Sequence, residues 1–159
     1  MNRNHLDVES IDAVVLLVAL ASTWAMTGLI WVIQLVHYPI FDSVDPGEAG
    51  QGWMQFANRH TSSISLVVGP LMFAEGITGL WLVVAPPAET SRLLPLVALG
   101  LMAVAYGVTA FVSAPLHGQM SQRFDARLHH RLVTTNWIRT AAWTSRACVL
   151  ATLAYVAIT

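Results

Sequence analysis

The chain has 159 residues, of which 55% are hydrophobic and 11% are charged, and its formal net charge is −1. This composition excludes an ordinary soluble domain and is sufficient for about four or five membrane spans of roughly 20 residues each. The near-zero net charge provides no field that would attract nucleic acid. All eight basic residues are arginine, which excludes Schiff-base and other lysine chemistry.

Four apolar stretches follow one another along the chain, and each is close to the length that a bilayer core of about 30 Å requires. The breaks between them carry proline, which predicts a helix end at each break. We therefore predict an all-α integral membrane protein, a four-helix antiparallel bundle, in which residues 1–159 form a single transmembrane domain. The predicted spans are about 13–37, 61–85, 93–113 and 137–158.

The first and third connections of such a bundle lie on one side of the membrane. We call this the histidine side, because His37, His60 and His117 flank these connections. Five arginines near helix ends belong to this side and two to the other, so the positive-inside rule places the histidine side in the cytoplasm. The predicted location is the cytoplasmic (inner) membrane of a bacterium, as a multi-pass protein. The arginines compared are Arg59, Arg123, Arg127, Arg131 and Arg139 against Arg3 and Arg92.

The segment from 118 to 135 alternates apolar residues with arginines at a spacing of four residues. This pattern predicts a short amphipathic interfacial helix between helices three and four. Arg123, Arg127 and Arg131 form its polar stripe, which would bind anionic lipid. The alternative is that these arginines gate the entry of an anionic substrate.

Polar residues fall on one stripe of helix one and on one face of helix four. Because polar groups in lipid must be satisfied inside the protein, both stripes should face the bundle interior. The stripe of helix one comprises Thr23, Thr27, Trp31, Gln34, His37 and Tyr38. The face of helix four comprises Asn136, Arg139, Trp143 and Arg146.

Antiparallel threading brings His37, His60 and His117 to a common depth from three different helices. Neutral imidazoles at this depth can ligate haem iron, copper or zinc, or act as bases near neutral pH. The sequence leaves the cofactor open: haem, copper, zinc and no metal all remain. Interfacial histidines that only bind water and loop carbonyls are the structural alternative.

Glu75 and Arg146 each lie deep in an apolar stretch, where an ionisable residue costs at least about 2.5 kcal/mol unless it is compensated. Their depths differ by an amount that an arginine side chain can span, which predicts a Glu75–Arg146 ion pair across the bundle. The pair would fix helix register, or it would form the floor of a substrate pocket.

A few short motifs of the chain are similar to those of known membrane protein families. They are Gln34-x3-Tyr38-Pro39, His60, Pro70-x4-Glu75, Pro115-x-His117 and Asn136-Trp137-x-Arg139-Thr140. Together they resemble an uncharacterised family of bacterial four-helix integral membrane proteins. More remotely, the chain resembles the anthrone-oxygenase-like domain-of-unknown-function family, whose likeness implies oxygenation of a hydrophobic substrate.

The residues predict a membrane-embedded redox enzyme with a histidine-lined pocket at the cytoplasmic face, and the remote resemblance implies an oxygenase-like activity. Its substrate would be a small hydrophobic molecule, and a second copy or another membrane protein could be a partner. The alternative is a non-enzymatic accessory or assembly subunit of a membrane complex. The predicted catalytic residues are His37, Tyr38, Asn136 and Arg139, the substrate-binding residues are Gln34, Trp31, Glu75 and Arg146, and the metal ligands are His37, His60 and His117.

Overall fold

The computed structural model describes residues 3–45, 47–87 and 90–159. They form four long helical rods, as the sequence predicts, so the all-α four-helix bundle is confirmed. The rods contain these elements: α1 (Arg3–Val32), a π-helical turn (Ile33–His37) and a 3₁₀ turn (Tyr38–Ser43); a 3₁₀ turn (Glu48–Gly50) and α2 (Gln51–Val84); α3 (Leu93–Val108), a second π-helical turn (Thr109–Ser113) and α4 (Ala114–Met120); and α5 (Ala126–Ile158).

All four rods are long and apolar enough to cross a membrane, which identifies the chain by length and composition as a multi-pass membrane protein. Their outer faces carry large apolar side chains that no other part of the chain covers. Leu66 is 77% exposed, Phe73 is 71% exposed and Phe111 is 83% exposed. In water such a surface would aggregate, whereas lipid chains solvate it.

The helices extend beyond the predicted spans at the histidine side. The first rod continues to Ser43, α2 begins at Gln51, α4 ends at Met120 and α5 begins at Ala126. Hydropathy marks only the part of a helix that lies in lipid, while the backbone hydrogen bonds continue into the interfacial region. The predicted span limits therefore describe the apolar stretches and not the helix ends.

The predicted separate interfacial helix is wrong in its boundaries. Residues 126–135 are the first turns of α5, because no glycine or proline interrupts the chain between Ala126 and Ile158. Asp125 begins this helix as its N-cap. The backbone N–H groups of Leu128 and Arg127 donate to its carboxylate and hold the pKa of Asp125 below its usual value. Arg123, Arg127 and Arg131 are exposed, as predicted.

Two prolines widen their helices instead of ending them, contrary to prediction. Pro39 and Pro115 lack an N–H donor, and each ring crowds the carbonyl four residues earlier, at Leu35 and at Phe111. Both crowded carbonyls lie inside a π-helical turn, where the hydrogen bonds span five residues. The widened turn accommodates the proline and the rod continues.

In the bundle, α5 packs against α1 on one side and against α3 on the other, and α1 also packs against α2. The fourth seam, between α2 and the rod of α3 and α4, is looser. Two apolar cores lie at the two ends of the bundle. Glu75 and Arg146 lie between the two cores. The loose seam and the widened turns together position the site.

Candidate functional site

The three predicted histidines lie next to one another at the histidine side. His37 Nε2 and His60 Nδ1 are 2.8 Å apart, so one ring donates a hydrogen bond to the other. The rings of His60 and His117 are 5.2 Å apart between centroids. Tyr38 Oη is 3.1 Å from His117 Nε2 and forms a hydrogen bond with it. His60 and His117 are thus each hydrogen-bonded to a side chain of the first rod, His60 to His37 and His117 to Tyr38.

An aromatic ring that the sequence did not single out holds these imidazoles in place. Phe41 is buried, and its ring meets His37 and His60 edge-on, with centroids 5.2 Å away in both cases. His129 stacks on Phe41, and its Nε2 is 2.9 Å from the carbonyl oxygen of Tyr38. His129 lies two turns before Asn136 on α5, and this spacing of seven residues was the signal that could have identified it.

A hydrogen-bonded chain of amide groups leads to Arg139. Asn136 Nδ2 donates to Gln34 Oε1 at 2.8 Å, and Gln34 Nε2 donates to the carbonyl oxygen of Val133 at 3.3 Å. Arg139 Nη1 donates to Asn136 Oδ1 at 3.0 Å and to Ser113 Oγ at 3.3 Å. Gln34 and Ser113 both lie in π-helical turns, so the widened turns supply the partners of this chain.

Arg139 is only 5% exposed, and both acceptors of its Nη1 are neutral oxygens. Its Nε has no hydrogen-bond partner. Among the side chains of residues 11–45, 47–87 and 90–159, no carboxylate pairs with this guanidinium. Since arginine remains charged in proteins, the site holds a buried positive charge that the described part of the chain does not neutralise.

A cavity of about 460 Å³ lies in the loose seam between α2 and the rod of α3 and α4. Its polar lining includes Tyr38, His60, His117, Ser113 and Arg139. The apolar lining is formed by Ile33 together with Ile64, Val68 and Met72 of α2. This volume is within the range of about 300–1,000 Å³ that small-molecule pockets occupy.

A second cleft, of about 600 Å³, lies on the other side of His60, between α1 and α2. His37, Phe56 and Arg59 line it. Of the predicted catalytic residues, Tyr38 and Arg139 line the first cavity, whereas His37 faces the second cleft. Asn136 lines neither cavity and instead holds Arg139.

None of the four predicted substrate-binding residues lines the cavity, and Gln34 instead accepts a hydrogen bond from Asn136. Trp31 is 37% exposed on the outside of the bundle, where its Nε1 donates to Thr144 Oγ1. Four-residue steps advance about 40° around a helix, so Trp31 lies about 80° from Thr23, at the lipid edge of the predicted stripe. Glu75 and Arg146 are fully buried in mid-bundle and form the predicted ion pair, with Nε and Oε1 3.5 Å apart.

In this structure the three imidazoles are engaged in hydrogen bonds and are not arranged around one metal ion. Two nitrogens that ligate one tetrahedral zinc ion at about 2.0 Å would lie about 3.3 Å apart and would not share a hydrogen. His37 and His60 are hydrogen-bonded to each other, and Tyr38 occupies one nitrogen of His117. In the described ranges, no group of three His, Cys, Asp or Glu side chains could hold a metal ion. Metal ligation by these histidines stays a prediction.

The arrangement can hold a small molecule against two imidazoles, a phenol and an unneutralised guanidinium. Neutral imidazoles transfer protons, and a buried guanidinium attracts negative charge. No protein-family model, curated protein sequence or solved structure matches this chain. The function is therefore inferred from the geometry of the site.

Proposed function

We propose that the protein is a membrane-embedded enzyme that exchanges protons with a small hydrophobic substrate bound in the cavity. The observation that carries this proposal is the placement of two imidazoles on the cavity wall, each tethered by a second side chain. His60 is tethered by His37, and His117 by Tyr38. A base oriented by a second group is the arrangement that general acid–base catalysis uses.

His60 is the proposed base. Its Nδ1 is bonded to His37, which leaves Nε2 for the cavity. When His60 Nδ1–H donates to His37 Nε2, the Nε2 of His60 carries a lone pair and can accept a substrate proton. When the hydrogen bond runs the other way, the same Nε2 carries a hydrogen and can return it. One nitrogen can therefore act as base and as acid in turn.

Arg139 is the proposed partner of the substrate oxygen that carries or gains negative charge. The chain Gln34–Asn136–Arg139 fixes the guanidinium, so it needs little reorganisation when charge appears. In the oxidoreductase version of this proposal, an external two-electron acceptor such as dioxygen or a quinone oxidises the deprotonated substrate. The residues of the chain carry out the same proton step in both versions.

We also propose that the histidine side faces the cytoplasm of a bacterial cell and that the protein lies in the cytoplasmic membrane. The support is the concentration of arginine on this side, since Arg123, Arg127 and Arg131 are all exposed there. A tag placed after Ser121 should then be protected from protease in intact spheroplasts and cleaved in inverted vesicles. The reverse pattern would overturn this orientation.

The enzyme proposal can be tested without knowing the substrate. Purified protein is incubated in D₂O and air with a panel of hydrophobic carbonyl compounds, and mass spectrometry follows deuterium entry at carbon and any gain of oxygen. Exchange should be about a hundredfold faster with the wild type than with His60→Gln. His130→Gln is the matched control, because His130 is exposed and lines no described cavity.

Equal exchange in the wild type and His60→Gln across the panel would overturn the enzyme proposal. In that case, stoichiometric co-purification of another membrane protein would favour the accessory-subunit alternative. Metal analysis and an absorption spectrum of the same sample would show whether haem, copper or zinc accompanies the chain.

A further inference from the structure

We infer that the cavity binds a single-chain carboxylate, a fatty-acid-like anion that enters sideways from the bilayer. The inference rests on the proposed function, because it names the substrate class of the same cavity. For the proton exchange, this anion would also carry a carbonyl group beside the reacting carbon, since a carboxylate alone does not make a neighbouring C–H acidic enough for an imidazole. It begins from Arg139, whose side chain is 95% buried, whose Nε is unpartnered and which lines the cavity. A charge buried in this way is stabilised by a bound anion.

The head group should carry one negative charge. Arg139 is the only formally charged side chain on the cavity wall, counting the described residues, so one cation is present to neutralise one anion. The Arg139 guanidinium also lies over the Trp143 ring, 5.3 Å from its centroid, and this contact holds the plane of the guanidinium in place. Guanidinium and carboxylate form short, charge-assisted hydrogen bonds, and a carboxylate is the smallest common head group of this kind.

The body of the ligand should be apolar. From the guanidinium, the cavity wall continues along Ile64, Val68 and Met72 of α2. None of these side chains offers a hydrogen bond, so an extended hydrocarbon chain fits this wall better than a polar body does. A volume of about 460 Å³ limits the occupant to one small molecule.

The mouth of the cavity faces lipid. Four lining residues with small side chains are exposed at the seam: Ser65 and Gly69 on α2, and Ala114 and Gly118 on the opposite rod. Gly69 lies within the predicted span 61–85, and a Cβ added to it would meet nothing within 4 Å. An amphiphile that partitions into the bilayer can therefore reach Arg139 without crossing water.

Photolabelling tests this inference. The wild type in phosphatidylcholine nanodiscs receives a diazirine-bearing dodecanoate or the matched dodecanol, and peptides are mapped after illumination. Dodecanoate should label α2 between Ile64 and Met72, about tenfold more strongly than dodecanol. Excess phosphatidylglycerol should not displace it. Displacement by this lipid would assign the head group to a lipid phosphate and overturn the carboxylate.

Two variants locate the head group and the entrance. Arg139→Gln should lose about tenfold of the dodecanoate labelling, while Arg131→Gln, an exposed arginine on the same helix, should lose little. Gly69→Leu should block the mouth and cause a similar loss. Its matched control is Gly28→Leu, at an exposed helical glycine that also has open space and lines no described cavity.

Unchanged labelling in both Arg139→Gln and Gly69→Leu would overturn the inference. Gly69→Leu keeps the test decisive if Arg139→Gln does not fold. Failure here is distinguishable from failure of the enzyme proposal. Absent carboxylate labelling together with His60-dependent deuterium exchange refutes only the ligand class, whereas carboxylate labelling without that exchange refutes only the catalysis.

Discussion

Arg139 and Arg146 lie two turns apart on α5, and both are buried, yet their surroundings differ. Arg146 is fully buried beside Glu75, and it donates to Thr23 Oγ1 at 3.1 Å and to the carbonyl oxygen of Ala98 at 3.3 Å. The carboxylate of Glu75 also accepts hydrogen bonds from Thr23, Trp143 and Tyr106. Arg139 has neutral acceptors only, and it borders a cavity.

This difference indicates that Arg146 serves the stability of the fold, whereas Arg139 is available to bind an anion. The Glu75–Arg146 pair is neutralised inside the chain and connects α2 to α5 across the bundle, so its role is to fix helix register. At Arg139 the protein retains a buried cation and a cavity beside it, which lowers stability unless an anion binds. Breaking the Glu75–Arg146 pair should therefore reduce stability, whereas a substitution at Arg139 should reduce ligand binding and change stability little.

The largest expected effect is on stability at the mid-bundle pair. Glu75→Gln should destabilise the protein by about 3–5 kcal/mol, because it leaves Arg146 buried without its anion. Arg139→Gln should change the free energy of unfolding by no more than about 1 kcal/mol, since it removes an unpaired charge along with two hydrogen bonds. Reversible unfolding in mixed micelles measures both. A larger loss of unfolding free energy for Arg139→Gln than for Glu75→Gln would contradict the assigned roles of the two arginines.

Double-mutant cycles should sharpen the contrast. The cycle of Glu75→Gln with Arg146→Gln should show a coupling of about 1–3 kcal/mol, because the two groups are in contact. The matched cycle of Ser113→Ala with Arg139→Gln should show about 0.5 kcal/mol or less, because that hydrogen bond is long and its acceptor is neutral. Absence of coupling in the first cycle would refute the structural role of the pair.

The sequence was sufficient to predict the bundle, the ion pair and the meeting of three helix ends. Depth within apolar stretches was enough to match Glu75 with Arg146, because helical rise converts residue number into position. It could not show that Pro39 and Pro115 would widen their helices, since the same residue also ends helices. Nor could it identify Phe41 as the contact of His37 and His60, because Phe41 lies beyond the apolar stretch.

The sequence also could not show which of the inward-facing polar side chains form hydrogen bonds with each other. Asn136 and Gln34 were both expected to face inward, but many inward polar groups satisfy that expectation without contacting each other. Trp31 was misplaced because its indole needs only one acceptor, which the Thr144 hydroxyl supplies at the lipid-facing surface. One-dimensional periodicity does not distinguish the edge of a stripe from its centre.

A smaller effect is expected at His37, which acts as a positioning residue for His60. His37→Phe keeps the ring contacts with Phe41 but removes the hydrogen bond to His60 Nδ1. Deuterium exchange should fall about tenfold, while dodecanoate labelling stays at the wild-type level. His37→Gln can still hydrogen-bond and should recover part of the rate. Equal loss of labelling would indicate a collapsed cavity instead.

The smallest effects are expected at the exposed arginines of the histidine side. Each of Arg123→Gln, Arg127→Gln and Arg131→Gln should weaken binding of phosphatidylglycerol by about 1 kcal/mol or less, and added salt should reduce that difference. Native mass spectrometry that counts retained lipids measures this change. Cavity labelling should not respond to these substitutions, since none of the three arginines lines the cavity.

The most direct test of the account is an experimental density map of the protein extracted gently from its native membrane. We expect an elongated feature in the seam between α2 and the opposite rod, with its polar end about 3 Å from Arg139 Nε. A seam closed by side chains, with Arg139 paired to a carboxylate of the chain, would contradict the account.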